Sequence, residues 1–258
     1  MMIRQLAAAA LPILLAAVPA SATLDPSLAD PPEMEELMRK TDNYTFEYRY
    51  PKSLARDSRL SDYLDQDSEK EYTKFSTEAD RDHADTAAIT ENGPRLLAYD
   101  YQVHWSEEAD IPAFISLTQH WYGFYGGAHG IHGTKSWIWD KSNKTMVEPL
   151  TLFRSAEAFN QALQIEFCEQ LNDQRAEKRG QPVATDSDDS FDKCITPSEH
   201  AIILGSTTVD SFDIIKINVG PYAAGPYVEG DYEIDLSVTK AIMASLKPAY
   251  RKYFAVKR

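Results

Sequence analysis

Two alternating stretches constrain this chain most. In NYTFEYRY (43–50), Tyr44, Phe46, Tyr48 and Tyr50 alternate with Thr45, Glu47 and Arg49. In LLAYDYQVHW (96–105), Leu97, Tyr99, Tyr101, Val103 and Trp105 alternate with Ala98, Asp100, Gln102 and His104. A period of two places one set of side chains on one face of a strand, so both stretches read as half-buried β-strands, the first stopped by Pro51. His104 falls on the polar side and reads as an exposed strand residue. Residues 53–88 lie between the two strands and contain neither glycine nor proline. There Leu60, Leu64, Tyr72, Phe75 and Ala79 recur mostly at helical spacing, which predicts one or two amphipathic helices with their many acids on a solvated face. ENGP (91–94) is a turn signal.

The remainder mixes strands and helices. FISLTQHWY (114–122) and TKSWIWDK (134–141) read as strands, with a turn at 140–143. Ser155 is a helix cap, Phe159, Leu163, Phe167 and Leu171 repeat every four residues, and Gly180 suits the residue just past the helix end. AIILGS (201–206), FDIIKINV (212–219) and YEIDL (232–236) are further strands, and a last helix is expected from Ser237, interrupted near Pro248. The acidic loop DSDDSFD (186–192) lacks the glycine and the closing glutamate of a calcium loop. The order predicts an α+β fold, mostly antiparallel sheet with packed helices. The break near 91–94 sets off a small N-terminal α/β subdomain.

The first residues have the form of a secretory signal. Arg4 precedes an apolar run from Leu6 to Val18, and Ala20-Ser21-Ala22 is a small-x-small cleavage site. The run is too short to span a bilayer, and no later run is long and apolar enough. We therefore expect a signal peptide over 1–22, a leader over 23–42, no membrane span after cleavage, and a periplasmic or secreted location. The formal net charge is −14, and loss of the signal removes Arg4 and deepens it by one. Such a surface repels nucleic acid and anionic lipid and attracts basic partners. In an oxidising compartment the two cysteines, Cys168 and Cys194, are expected to form one disulfide.

GFYGGAHGIHG (123–133), between two strands, is the first candidate functional feature. His129 and His132, with His120 on the neighbouring strand, are weak evidence for a metal, since H-x-x-H on a glycine-rich loop lacks the helical H-E-x-x-H frame. No helix follows to receive a phosphate, and no G-x-S-x-G is present. No metal or cofactor is expected. The remaining reading is conformational: Gly126, Gly127 and Gly130 permit positive φ or close backbone approach, and His129 pins the turn by a hydrogen bond. GPYAAGPYVEGD (220–231) is a second special loop between strands.

YGGAHG (125–130), WIWD (137–140), PLTLF (149–153), GPYAAGPYVEGDYEI (220–234) and FCEQLNDQRAEKRG (167–180) with Cys194 together resemble the exported domain shared by the anti-sigma factor RsiV and the N-terminal part of the peptidoglycan deacetylase PdaC. The resemblance covers roughly 43–255. It departs from the family where Phe124-Tyr125 stand in place of the usual Tyr-Thr before Gly-Gly. It implies a PdaC-like subdomain over 43–110 and an RsiV-like domain over 111–258. It also implies binding of a lysozyme-like basic protein or a cell-wall glycan, without the deacetylase's catalytic domain. Tyr122, Tyr125, Gly126, Gly127, His129, Tyr222, Tyr227 and Glu229 are the expected ligand-binding residues. The expected function is that of an exported non-catalytic envelope binding protein. The alternatives are an envelope hydrolase using His129 with Glu229 or Asp231, or with a bound metal, and a purely structural envelope protein.

Overall fold

The alternating aromatic segments become neighbours in one large sheet. The computed structural model describes residues 31–89, 96–184 and 187–256. Six strands lie in the order β1 (Met34–Lys40), β2 (Tyr44–Pro51), β3 (Tyr99–Asp110), β4 (Phe114–Phe124), β5 (Ile131–Asp140) and β6 (Thr145–Val147). All neighbours are antiparallel except β2 and β3. A parallel pair needs a long crossover, which α1 (Ser58–Ile89) provides as a single 32-residue helix.

Helix α1 buries Leu60, Leu64, Phe75 and Ala79 against Phe46, Tyr48, Val103, Trp105, Leu117 and Trp139 of the sheet. Its acids are more than a solvated face. Tyr48 donates its hydroxyl to Asp67 at 2.9 Å, Tyr50 to Asp65 at 3.3 Å, Tyr101 to Glu71 at 3.1 Å and Tyr99 to Asp82 at 3.3 Å. An aromatic sheet face therefore meets a row of carboxylates that satisfy phenol groups which would otherwise be buried without partners. Burial raises the Asp67 carboxyl above its usual range, and the Tyr48 hydrogen bond only partly offsets this.

The other face of the large sheet carries a second, antiparallel sheet of β7 (Ala201–Gly205), β8 (Ile214–Val219) and β9 (Tyr232–Ser237). One core joins Phe114 and Ile138 of the large sheet, Leu204, Ile215 and Ile234 of the small sheet, and the expected stripe of α2 (Ala156–Arg179). The layers thus run α1, large sheet, small sheet, α2. Ser155 Oγ accepts from Ala158 N, and Gly180 takes φ +67°, as the cap residues predict. Cys168 on α2 and Cys194 form a disulfide with Cα atoms 5.5 Å apart.

Three expectations shift. Residues 34–40, read as leader, form edge strand β1. Their MEELMRK sequence has no period of two, and backbone pairing with β2 makes the strand. The last helix, α3 (Lys240–Ser245), is capped by Thr239, whose Oγ1 accepts from Ile242 N at 3.2 Å; Ser237 ends β9 instead. The boundary expected at 110/111 falls in the β3–β4 hairpin, inside one sheet, and Pro32–Arg258 form one compact unit. The signal over 1–22, the leader up to 30 and the turn at 91–94 lie outside the described residues. Among the described residues no helix is long and apolar enough to cross a membrane.

Candidate functional site

Pairing of β4 with β5 sets Trp121 opposite Gly133, Tyr122 opposite His132 and Gly123 opposite Ile131, leaving 125–130 as the connecting loop. Two glycines there have distinct reasons. Gly126 adopts φ +77°, which a side chain disfavours. At Gly130 a Cβ would stand 2.3 Å from the Tyr122 ring, so its hydrogen allows that ring to lie across the strand. Gly127 has neither constraint: its φ is not positive and a Cβ would meet nothing closer than 4.0 Å.

The second special loop closes on this hairpin. Tyr227 donates its hydroxyl to the Gly130 carbonyl at 2.8 Å. The His129 ring stacks on Tyr227 with centroids 4.3 Å apart at 27°, and the Tyr222 ring lies 5.5 Å from Tyr227 at 36°. Tyr222 is 53% exposed and holds φ +66°, unusual for a residue with a side chain. His132 Nε2 and Asp231 Oδ1 are 2.9 Å apart, a second bond between the loops. His129, Tyr227 and Tyr222 thus form a row of rings where the two loops meet.

Other expected residues go elsewhere. Tyr125 packs edge-on against Tyr99 at 5.5 Å and Phe75 at 6.2 Å, on the α1 side. Glu229 faces inward: Arg179 grips it with Nε–Oε1 at 2.9 Å and Nη2–Oε2 at 3.1 Å, and Tyr232 donates its hydroxyl to Oε2. Burial opposes its ionisation, but these bonds outweigh burial and hold its carboxyl below the usual range. His129 Nδ1 is 2.8 Å from the Gly130 carbonyl and its ring is exposed, so the expected pairing of His129 with Glu229 or Asp231 is not formed. Among the described residues no group of three or more His, Cys, Asp or Glu is placed to hold a metal ion.

Sequence reading missed a cleft beside the ring row. It occupies about 180 Å³ over the part of the large sheet that the small sheet leaves bare. His104 and His120 are cross-strand partners on its floor, with Gln102, Tyr122, His132 and Thr134 around them and Asp231 at the rim. Thr134 Oγ1 and His120 Nδ1 are 2.9 Å apart. Burial, then the Arg49 charge, pushes the His104 imidazole below its usual range, although Glu47 Oε1 lies 3.7 Å away. The signal was present as polar residues two apart: 102 and 104, 120 and 122, 132 and 134.

Residues 37–132 match the family described as Deacetylase PdaC. The match begins within β1 and runs through α1, β4 and the glycine hairpin to His132, farther at both ends than the 43–110 expected. A comparison with curated proteins finds no match. Two solved structures are similar. A DUF3298 family member from Bacteroides fragilis shares 16% identity at a TM-score of 0.47, covering 83% of this chain and 92% of that one. A DUF3298 family protein from Pseudomonas aeruginosa PAO1 shares 13% at 0.49, covering 89% and 99%. The α+β chain thus carries, over residues 37–132, a PdaC-like domain of unknown function.

Proposed function

We propose that this is an exported, non-catalytic binding protein of the cell envelope, and that its ligand surface is the ring row with the adjoining cleft. The observation that carries this reading is the stack of Tyr222, Tyr227 and His129 beside a polar floor. Flat rings offer apolar faces to the C–H faces of a pyranose, and His132, Thr134, Gln102 and Asp231 supply donors and acceptors for hydroxyl and amide groups. That chemistry fits a wall glycan, one of the two ligand classes that the sequence resemblance implies. Soluble peptidoglycan fragments titrated by calorimetry are expected to bind, and Tyr227→Ala or Tyr222→Ala to weaken binding at least tenfold. Equal affinity in wild type and both variants would remove the ring row from the reading.

A second reading rests on charge. The chain carries −14, and Val228, next to Tyr227 in the chain, is 89% exposed. A basic lysozyme-like protein would meet such a surface with strong salt dependence. Binding of lysozyme without binding of glycan, weakening steeply with salt, would favour it. Release of cleaved fragments would favour the hydrolase alternative, with the His132–Asp231 pair in place of His129.

A further inference from the structure

Strand β5 is paired with β4 from Ile131 to Phe114's partner Asp140, yet with β6 only at Ile138, Trp139 and Asp140. The direction of its backbone groups follows from two bonds. Lys141 N–H reaches Ala113 O on the β4 side, whereas Asp140 O accepts from Lys144 N on the outer side. Backbone groups alternate along an antiparallel strand, and the register with β4 is unbroken. The N–H and C=O of Ser136, Thr134 and His132 therefore point out from the edge, and no backbone partner for them occurs among the described residues. From His132 to Ser136 this open edge runs about 13–14 Å at roughly 3.4 Å per residue.

A groove of about 520 Å³ follows the edge. Residues 134–137 form one wall, and 148–150 with 198–202 form the others. Pro149 turns the chain away just past β6, which leaves the line of that strand vacant. The exposed carboxylates of Glu148 and Glu199 have no ion-pair partner among the described residues. His200 Nε2 is buried there without a hydrogen-bond partner. Open edges are commonly guarded by proline, a bulge or several charges. This one has no proline and no bulge, and Lys135 is its single lysine.

We propose that this edge receives an extended, basic segment of a partner polypeptide as an added strand in line with β6. The backbone of the segment pairs with Ser136, Thr134 and His132, and its lysines or arginines meet Glu148 and Glu199. The site is separate from the ring row, and it shares Thr134 with the adjoining cleft.

The probe is acetyl-Lys-Val-Lys-Val-Lys-Val-amide, with amide exchange followed residue by residue by NMR. Exchange at His132, Thr134 and Ser136 is expected to slow at least tenfold on binding, while Gly133, Lys135 and Trp137, already paired with β4, change little. Ser136→Pro removes an outward N–H that the β4–β5 ladder does not use. It is expected to abolish protection, whereas Ser136→Ala and Tyr222→Ala keep it. Absence of binding at millimolar peptide would overturn the proposal, as would shifts confined to the cleft or full binding by a folded Ser136→Pro protein. Protection of the same amides that grows with protein concentration alone would overturn it too, by assigning the edge to a second copy. Should Ser136→Pro not fold, the alternating exchange pattern in wild type and Ser136→Ala still decides.

Discussion

Glu229→Gln tests whether the second loop is held from inside. The carboxylate takes two bonds from Arg179 and one from Tyr232, and its side chain is only 12% exposed. Glutamine keeps the shape and removes the charge. A hydrogen bond to a charged group contributes about 1.5–3 kcal/mol, against about 1 for a neutral one. Loss of charge assistance in two bonds therefore costs roughly 2 kcal/mol, since Arg179 keeps Asp192 at 2.6 Å. For a unit of this size that lowers Tm by about 4–8 °C. The pH dependence has a definite sign. The folded carboxyl sits below its ordinary value, so its contribution is present above the unfolded pKa of about 4.3 and fades as pH falls through the folded value. The gap between wild type and variant should be full at pH 7 and should narrow below pH of about 4. Thermal scans by circular dichroism from pH 3 to 8 measure it. A variant within 1 °C of wild type at pH 7, with weaker ligand binding, would restore Glu229 as a ligand-facing residue and refute the argument.

Removing the disulfide with Cys168→Ser and Cys194→Ser together should lower stability by about 3 kcal/mol, since it frees a 26-residue separation; urea titration checks this, with a larger m-value because the denatured chain without its cross-link exposes more surface. Gly126→Ala, at φ +77°, should cost about 1–2 kcal/mol, whereas Gly127→Ala should lie within about 0.5 kcal/mol of wild type, both by the same titration. His129→Ala should cost under about 1 kcal/mol, because its ring is exposed, so the stack on Tyr227 and the bond to the Gly130 carbonyl are both exchanged for water; a larger loss in a thermal scan would mean that the ring anchors the turn.

The strands were legible where one face is apolar and the other polar. β2, β3 and the stripe of α2 announce themselves by period alone, and Ser155 and Gly180 mark the helix ends. β1 was not legible, because an edge strand half-exposed on both faces needs no alternation and its partner supplies the pairing. The cleft escaped for a different reason. Its floor comes from β3, β4 and β5, and polar alternates on a sheet read as solvent-facing wherever they occur. Only the extent of the small sheet decides which of them end up beside Asp231. Glu229 misled in the same way: an acid in a glycine-rich loop reads as ligand-facing until an arginine 50 positions earlier is found against it.

That arginine has a neighbour with a sharper lesson. Phe159, Leu163, Phe167 and Leu171 set a four-residue rhythm, and its next beat is Arg175, the one fully buried charge on α2. Burial, then the Arg179 charge, pushes its guanidinium below the ordinary value. It is balanced mainly by neutral oxygens: Nε donates to Ala224 O at 3.0 Å, Nη1 to Asn172 Oδ1 at 2.9 Å and Nη2 to Lys193 O at 3.1 Å. A lysine offers three donors from one point and cannot span these acceptors, whereas a planar fork can. Arg175 therefore ties three segments to one helical turn: α2 itself, the residue before Cys194, and the loop that carries Tyr222 and Tyr227. Arg175→Lys should leave carbonyls of two of those segments without donors and loosen the ring row from behind. The charge is conserved in that substitution, so faster amide exchange at Ala224 and Lys193 together with weaker glycan binding would trace the ligand surface to the geometry of the fork, and an unaltered ring row would show that the loops hold their shape without it.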